Sequence, residues 1–243
     1  MRSTLRAIWL LVPDPISEPQ LQPCISALEP EPYAMSTISS FAEHRVLIDG
    51  VSWQTYSALV DESEHASGRM SYDEGTLEIM CPAIPHESSK SLIGRMIERF
   101  TEIRQIDIRS SASTTFRRND LKRGFEADES YYIQNAELIR GKRDIDLSID
   151  PPPDLVIEVK ITKSAINKLR MFASMGIPEV WRYDGKVLWI GFLQSDRYSE
   201  SEFSHVLPGF PVRLASELLS QRFDVGETEL IRKFAAEVNA SSI

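Results

Sequence analysis

The residues best suited to chemistry crowd into one stretch, PPPDLVIEVK, from Pro151 to Lys160. Leu155, Ile157, Val159 and Ile161 share one parity; Asp154, Val156, Glu158 and Lys160 share the other. Alternate side chains of a β-strand point to opposite faces, so one face is aliphatic and the other carries two carboxylates and an ammonium. Mg²⁺ is held by one or two carboxylates together with waters and substrate oxygens. A metal acidifies bound water, and a lysine can orient that water or balance charge developing on a phosphate. These are the requirements of phosphodiester hydrolysis. The simpler reading of the same pattern is an antiparallel or edge strand with its charged face in water.

A second acidic strand entry lies upstream in FEADESYYI, residues 125–133. Asp128 at its head is placed to converge with Glu158 on a neighbouring strand, with Glu129 as its rival on the opposite parity and a turn aspartate as the plainer alternative. Asp154 follows three prolines, where it is either a further metal ligand or a strand cap. Glu87 stands beside His86 at the start of a helix, a position that also favours glutamate for electrostatic reasons alone. Arg117, Arg118, Lys122 and Arg123 form a basic cluster ahead of Asp128. They and Lys168 are candidate phosphate contacts, with a solvated surface as the default. Trp181, Tyr183 and Trp189 alternate with hairpin periodicity, a pattern more often of core or dimer surface than of base-stacking platforms.

These residues must be carried by a mixed set of elements. The sequence predicts a strand at Arg45–Ile48, a helix at Trp53–Val60 capped by Ser52, and a hairpin of Gly68–Tyr72 with Thr76–Met80 around Glu74-Gly75. Leu92, Ile93, Met96, Ile97, Phe100 and Ile103 form the apolar stripe of a helix over Glu87–Arg104. Strands follow near Ile106–Ser110, Thr114–Arg117, Glu129–Ile133 and Asp154–Ile161. Ser164 opens a helix ending at Met175. Glu179–Tyr183 and Lys186–Leu193 pair across Asp184-Gly185, and helices at Leu214–Phe223 and Thr228–Val238 close the chain. Strand, helix, strand over 154–183 is a crossover unit, which makes the sheet mixed.

Among 243 residues, 42% are hydrophobic and 26% charged, the composition of a globular chain. A net charge of −9 argues against general attraction to nucleic-acid backbones, although residues 109–143 carry eight Lys/Arg against five Asp/Glu. Two cysteines, Cys24 and Cys81, make no disulfide framework and point to a reducing cytoplasm. The apolar run Ala7–Val12 is too short to span a membrane, and Pro13, Asp14 and Pro15 break it before it could serve as a signal peptide. Six of the fourteen prolines fall between Pro13 and Pro32, so residues 1–43 are expected to be a disordered extension, with Met35 as an alternative start. Residues 44–243 are expected to form the folded domain.

The stretches GTLEIMCPAIPHE (75–87), STTFRRNDLKRGFEADESYYIQNA (113–136), DPPPDLVIEVKIT (150–162), KLRMFASMGIPEVWRYDG (168–185) and LPGF (207–210) together resemble the Uma-type family of predicted endonucleases, within the PD-(D/E)XK restriction-endonuclease-like superfamily. The resemblance covers about Trp53 to Phe234. It implies an α/β core, a central mixed sheet flanked by helices, with Mg²⁺- or Mn²⁺-dependent cleavage of DNA. Carried over by position, Asp128 becomes the first acid, Glu158 the second, Lys160 the lysine and Glu87 the acid of the first helix. Asp154 sits where relatives also carry Pro-Asp. Ala127 replaces a common proline and Cys81 a common serine. Two other readings stand beside the nuclease: a non-catalytic regulator on the same fold that binds nucleic acid or protein, and a homodimer whose strand charges pair across its interface.

Overall fold

The computed structural model describes residues 43–62 and 68–241. The proline-rich segment expected to be disordered lies, but for its last residue, outside the described residues. Eleven strands and six helices follow in sequence: β1 (His44–Ile48), α1 (Trp53–Glu62), β2 (Arg69–Asp73), β3 (Thr76–Cys81), α2 (Ile84–Arg104), β4 (Arg109–Ser110), β5 (Thr115–Arg118), β6 (Arg123–Glu126), β7 (Glu129–Tyr132), α3 (Ala136–Ile139), β8 (Leu155–Val159), α4 (Lys168–Ser174), β9 (Glu179–Tyr183), β10 (Leu188–Gln194), β11 (Arg197–Ser201), α5 (Val212–Ser220) and α6 (Glu227–Ala240).

The strands form two sheets rather than one. A five-stranded sheet runs β1-β3-β2-β6-β5, and a six-stranded sheet runs β11-β10-β9-β8-β7-β4. The first is antiparallel throughout. In the second, β8 pairs antiparallel with β7 and parallel with β9, as the crossover unit requires. The β2–β3 hairpin turns on Glu74 and Gly75 at φ 48° and 112°, the left-handed pair that a two-residue hairpin turn needs.

The alternation in β8 reports two buried faces, not one dry and one wet. All five of its residues are buried. Leu155, Ile157 and Val159 pack with Leu92, Phe100, Trp181 and Phe234 under α2, α5 and α6. Val156, on the other face, packs with Val180, Phe172 and Phe125 beside α4. Each such side chain contributes about 1.5–3 kcal/mol by leaving water, which fixes the register of β8 and therefore the side from which Glu158 emerges.

Helix α2 begins at Ile84, three residues before the expected start at Glu87, with Pro85 in its first turn, so His86 and Glu87 both project from its N-terminal end. Helix α4 starts at Lys168 and is capped by Asn167, whose side chain accepts from the Arg170 N–H; the expected cap, Ser164, instead donates to Glu78.

Candidate active site

Asp128 lies where the chain leaves the five-stranded sheet at Glu126 and enters the six-stranded one at Glu129. Pairing of Glu129 with Ile157 and Ser130 with Val156 sets Asp128 opposite Glu158. Residues opposed across antiparallel strands lie about 4.5–5.5 Å apart at Cα with side chains on one face. The Val159 N–H donates to Asp128 Oδ2 at 2.6 Å, tying the acid to the neighbouring strand at that point. Lys160 continues the face of Glu158 and is fixed by its N–H to the Tyr183 carbonyl at 2.7 Å. Glu158, Lys160, Lys168 and Arg182 line one cleft of ≈ 290 Å³.

Both acids are buried and their surroundings drive them apart. Burial raises Glu158 above the ordinary carboxylate range; Lys168 opposes that shift and the charge of Asp128 adds to it. Lys168 Nζ sits 2.7 Å from Glu158 Oε1, whereas the buried Oε2 has no hydrogen-bond partner among the described residues. Burial would raise Asp128 as well, but the hydrogen bond and charge of His86, with Lys168 and Arg69, hold it well below the usual range. Paired acids pushed in opposite directions are a mark of functional sites.

The support around Asp128 is a chain of charges. Arg69 at the start of β2 donates to Asp128 Oδ1 at 2.5 Å and to Glu87 Oε1 at 2.6 Å. His86 Nε2 lies 3.0 Å from the same Asp128 oxygen, and Nδ1 lies 2.6 Å from Glu43 Oε1. Burial would lower His86, but these two carboxylates raise it to about 9. The imidazolium therefore prevails, donating at both nitrogens, although Arg69 Nη1 approaches Nε2 to 2.8 Å; Arg69 has Asp128 itself as its acceptor. Glu43 also accepts from Arg45, which reaches Glu78 at 2.7 Å, and Glu78 holds the Ala165 N–H and the Ser164 hydroxyl of the loop before α4.

The expected site residues thus divide. Asp128 and Glu158 come together, Lys160 lines the cleft beside Glu158, and Lys168 joins them as a buried ion-pair partner rather than a surface cation. Glu87 meets Asp128 only through Arg69. Asp154 does not reach the group: its oxygens accept from the Ile133 N–H, the Asn135 N–H and the Asn135 amide at 2.6, 3.0 and 2.7 Å, and four residues of strand, about 13 Å, separate it from Glu158. It anchors the turn after β7.

The basic cluster is likewise committed elsewhere. Arg123 is buried against Asp73 and Glu74. Arg117 pairs with Asp61, Arg118 with both oxygens of Asp120, and Lys122 with Asn119.

Sequence reasoning missed Arg69 and Glu43 altogether and saw His86 only as the neighbour of Glu87. Nothing local could have shown them, because their partners lie 59 and 43 positions away.

Residues 53–223 match the Uma2 family, whose description is "putative restriction endonuclease". The chain belongs to this family. The two sheets with flanking helices, an N-terminal hairpin and C-terminal helices give the α/β architecture that the sequence led us to expect. A crystal structure titled as a putative nuclease from Anabaena variabilis aligns with 76% of this Uma2 chain and 99% of its own, at 15% identity and a TM-score of 0.47, a likeness too distant to transfer any residue's role. No curated protein matches the chain. Among the described residues, no helix is long and apolar enough to cross a membrane.

Proposed function

We propose that this Uma2 protein is a Mg²⁺- or Mn²⁺-dependent endonuclease that hydrolyses DNA phosphodiester bonds at Glu158, Asp128 and Lys160. The observation that carries this reading is the register of β7 on β8, which sets Asp128, at the head of β7, opposite Glu158, while Lys160 lines the cleft beside Glu158.

The donor set suits a hard divalent cation. A carboxylate offers about four acceptor positions. Glu158 uses one, for Lys168, and its Oε2 is free of any partner. Asp128 uses three, for Arg69, His86 and the Val159 N–H. Glu158 would be the principal ligand and Asp128 the second. Among the described residues no three His, Cys, Asp or Glu groups are placed to enclose a metal, and Mg²⁺ makes no such demand, since waters and phosphate oxygens complete its shell. Bound there, the ion would acidify a water and stabilise charge on the phosphate.

The chain's own groups supply the rest. Lys160 Nζ has no hydrogen bond or ion pair among the described residues. Burial and the neighbouring Arg182 lower its proton affinity, with Glu158 opposing. It is therefore free to hold the attacking water or a phosphoryl oxygen. Arg69 and His86 keep the Asp128 carboxylate ionised and oriented, and Glu87 steadies Arg69 from the helix end.

The test is cleavage of supercoiled plasmid with Mg²⁺ or Mn²⁺ by the wild type, Glu158→Ala and Lys160→Ala. The expected loss is about 100-fold or more in each variant. Equal cleavage by all three would remove these residues from the mechanism.

One observation favours a second reading, a non-catalytic regulator on the same fold. Both acids already have cationic partners within the chain. Calorimetry showing no uptake of Mn²⁺ would support it.

A further inference from the structure

Glu158 pairs with Arg182 on β9, and Arg182 pairs with Trp189 on β10. The three residues form a row across neighbouring strands on the face of the sheet that carries the proposed site. Trp181 and Tyr183, which flank Arg182, point the other way into the core. At the usual strand spacing of about 4.8 Å, the row runs about 10 Å from Glu158 to Trp189.

The indole at the end of this row lies over Gly191. A Cβ at Gly191 would fall 2.1 Å from the indole Cη2, so only glycine lets the ring rest on the strand. Trp189 is partly exposed there, and the Arg182 guanidinium stands 5.7 Å from its ring centroid. The Arg182 Nε is buried with no hydrogen-bond partner. Trp189, Val187, Lys163, Arg182 and Lys160 line a second cleft of ≈ 600 Å³, which shares Lys160 and Arg182 with the first. Three cations and an aromatic ring, continuous with the acid pair, make a surface for an anion attached to a flat, stackable group.

We propose that the Trp189–Arg182–Lys163 cleft is a nucleotide subsite that takes the unpaired nucleotide next to the scissile phosphate, stacking its base on Trp189 and holding its phosphate with Lys163 and Arg182. This rests on the nuclease reading and adds a substrate class to it. A paired base inside a duplex has its faces covered by its neighbours in the stack, so the subsite selects single-stranded DNA over duplex.

Binding of a labelled oligothymidylate and of a blunt-ended duplex, measured in EDTA by anisotropy, tests the subsite. Trp189→Ala is expected to lower oligothymidylate affinity about 10-fold, the scale of one lost base stack. Trp189→Phe, which keeps a stacking face and guards against misfolding, should retain most of it. Duplex affinity should stay within about twofold in both. The wild-type tryptophan emission should be quenched by oligothymidylate, and the quench should shrink in Trp189→Ala.

Unchanged oligothymidylate affinity in Trp189→Ala, equal losses for duplex and single strand, or a Phe variant as weak as the Ala variant would overturn the subsite. Failure of the nuclease reading itself shows separately, as plasmid cleavage indifferent to Glu158→Ala.

Discussion

Two basic regions of this protein look alike in sequence and behave oppositely in structure. The hairpin of β5 and β6 carries Arg117, Arg118, Lys122 and Arg123 within seven positions, and every one has a polar partner close by. The cleft beside β8 draws Lys160, Lys168 and Arg182 from β8's end, α4 and β9, and among the described residues only Lys168 of the three has an ion-pair partner. Density of charge along a chain therefore says little about where an anionic substrate would sit. A cation whose partner lies in the same hairpin is already satisfied. A cation gathered by the fold into a cleft and left uncompensated retains its attraction for phosphate.

The sharpest way to break this contrast is to remove the counter-charge at its centre. Asp128→Ala strands Arg69 and His86 in the interior without their shared carboxylate, and is expected to cost about 3–5 kcal/mol in denaturant unfolding. Loss below 1 kcal/mol would mean that Glu87 and Glu43, their remaining partners, satisfy the two cations without Asp128.

His86 gives the same network a signature in pH. Its folded proton affinity is raised to about 9, above the ordinary value of 6.5. Its contribution, on the order of 2–3 kcal/mol, is present in full below about pH 6.5 and is lost as pH rises through about 9. Thermal melts from pH 6 to 10 should show that decline in the wild type and lack it in His86→Gln.

Asp154→Ala sharpens the boundary of the site. It removes three accepted hydrogen bonds at the turn after β7, and should lower stability by about 1–3 kcal/mol while leaving plasmid cleavage by the folded protein intact. Cleavage lost in proportion to that of Glu158→Ala would return Asp154 to the metal site.

The smallest effect is expected on the hairpin. Arg117→Ala with Arg118→Ala, both in exposed pairs, should change stability by less than about 1 kcal/mol and oligonucleotide affinity by less than about threefold.

Much of this arrangement could be read from the chain, for physical reasons particular to each element. The stripe from Leu92 to Ile103 is periodic because one helix face is buried, and the alternation from Leu155 to Ile161 because one strand face is aliphatic while the other, equally buried, carries the charged groups, so α2 and β8 declare themselves. Glu74-Gly75 encodes its turn in local backbone preference. The opposition of Asp128 to Glu158 followed from two acidic strand entries and the family resemblance.

What stayed hidden depends on distant partners. Strand β6 reads as loop because Arg123 is charged, yet its guanidinium is neutralised by Asp73 and Glu74 across the sheet. Ser164 has the type of a helix cap but spends its hydroxyl on Glu78, 86 positions away. Strand β11 lacks apolar alternation and forms by pairing with β10. Two sheets replaced the one expected because nothing in the hairpin sequence states which edge it joins.

The central claim is that Glu158 offers a divalent cation its buried, unpartnered oxygen. Titration of the full chain with Mn²⁺, followed by loss of the free-ion paramagnetic resonance signal, addresses it directly. The wild type and Asp154→Ala are predicted to take up Mn²⁺, and folded Glu158→Gln to take up none at the same concentrations. Equal uptake by Glu158→Gln would contradict the account, because the ion would then be held by groups outside the β7–β8 pair.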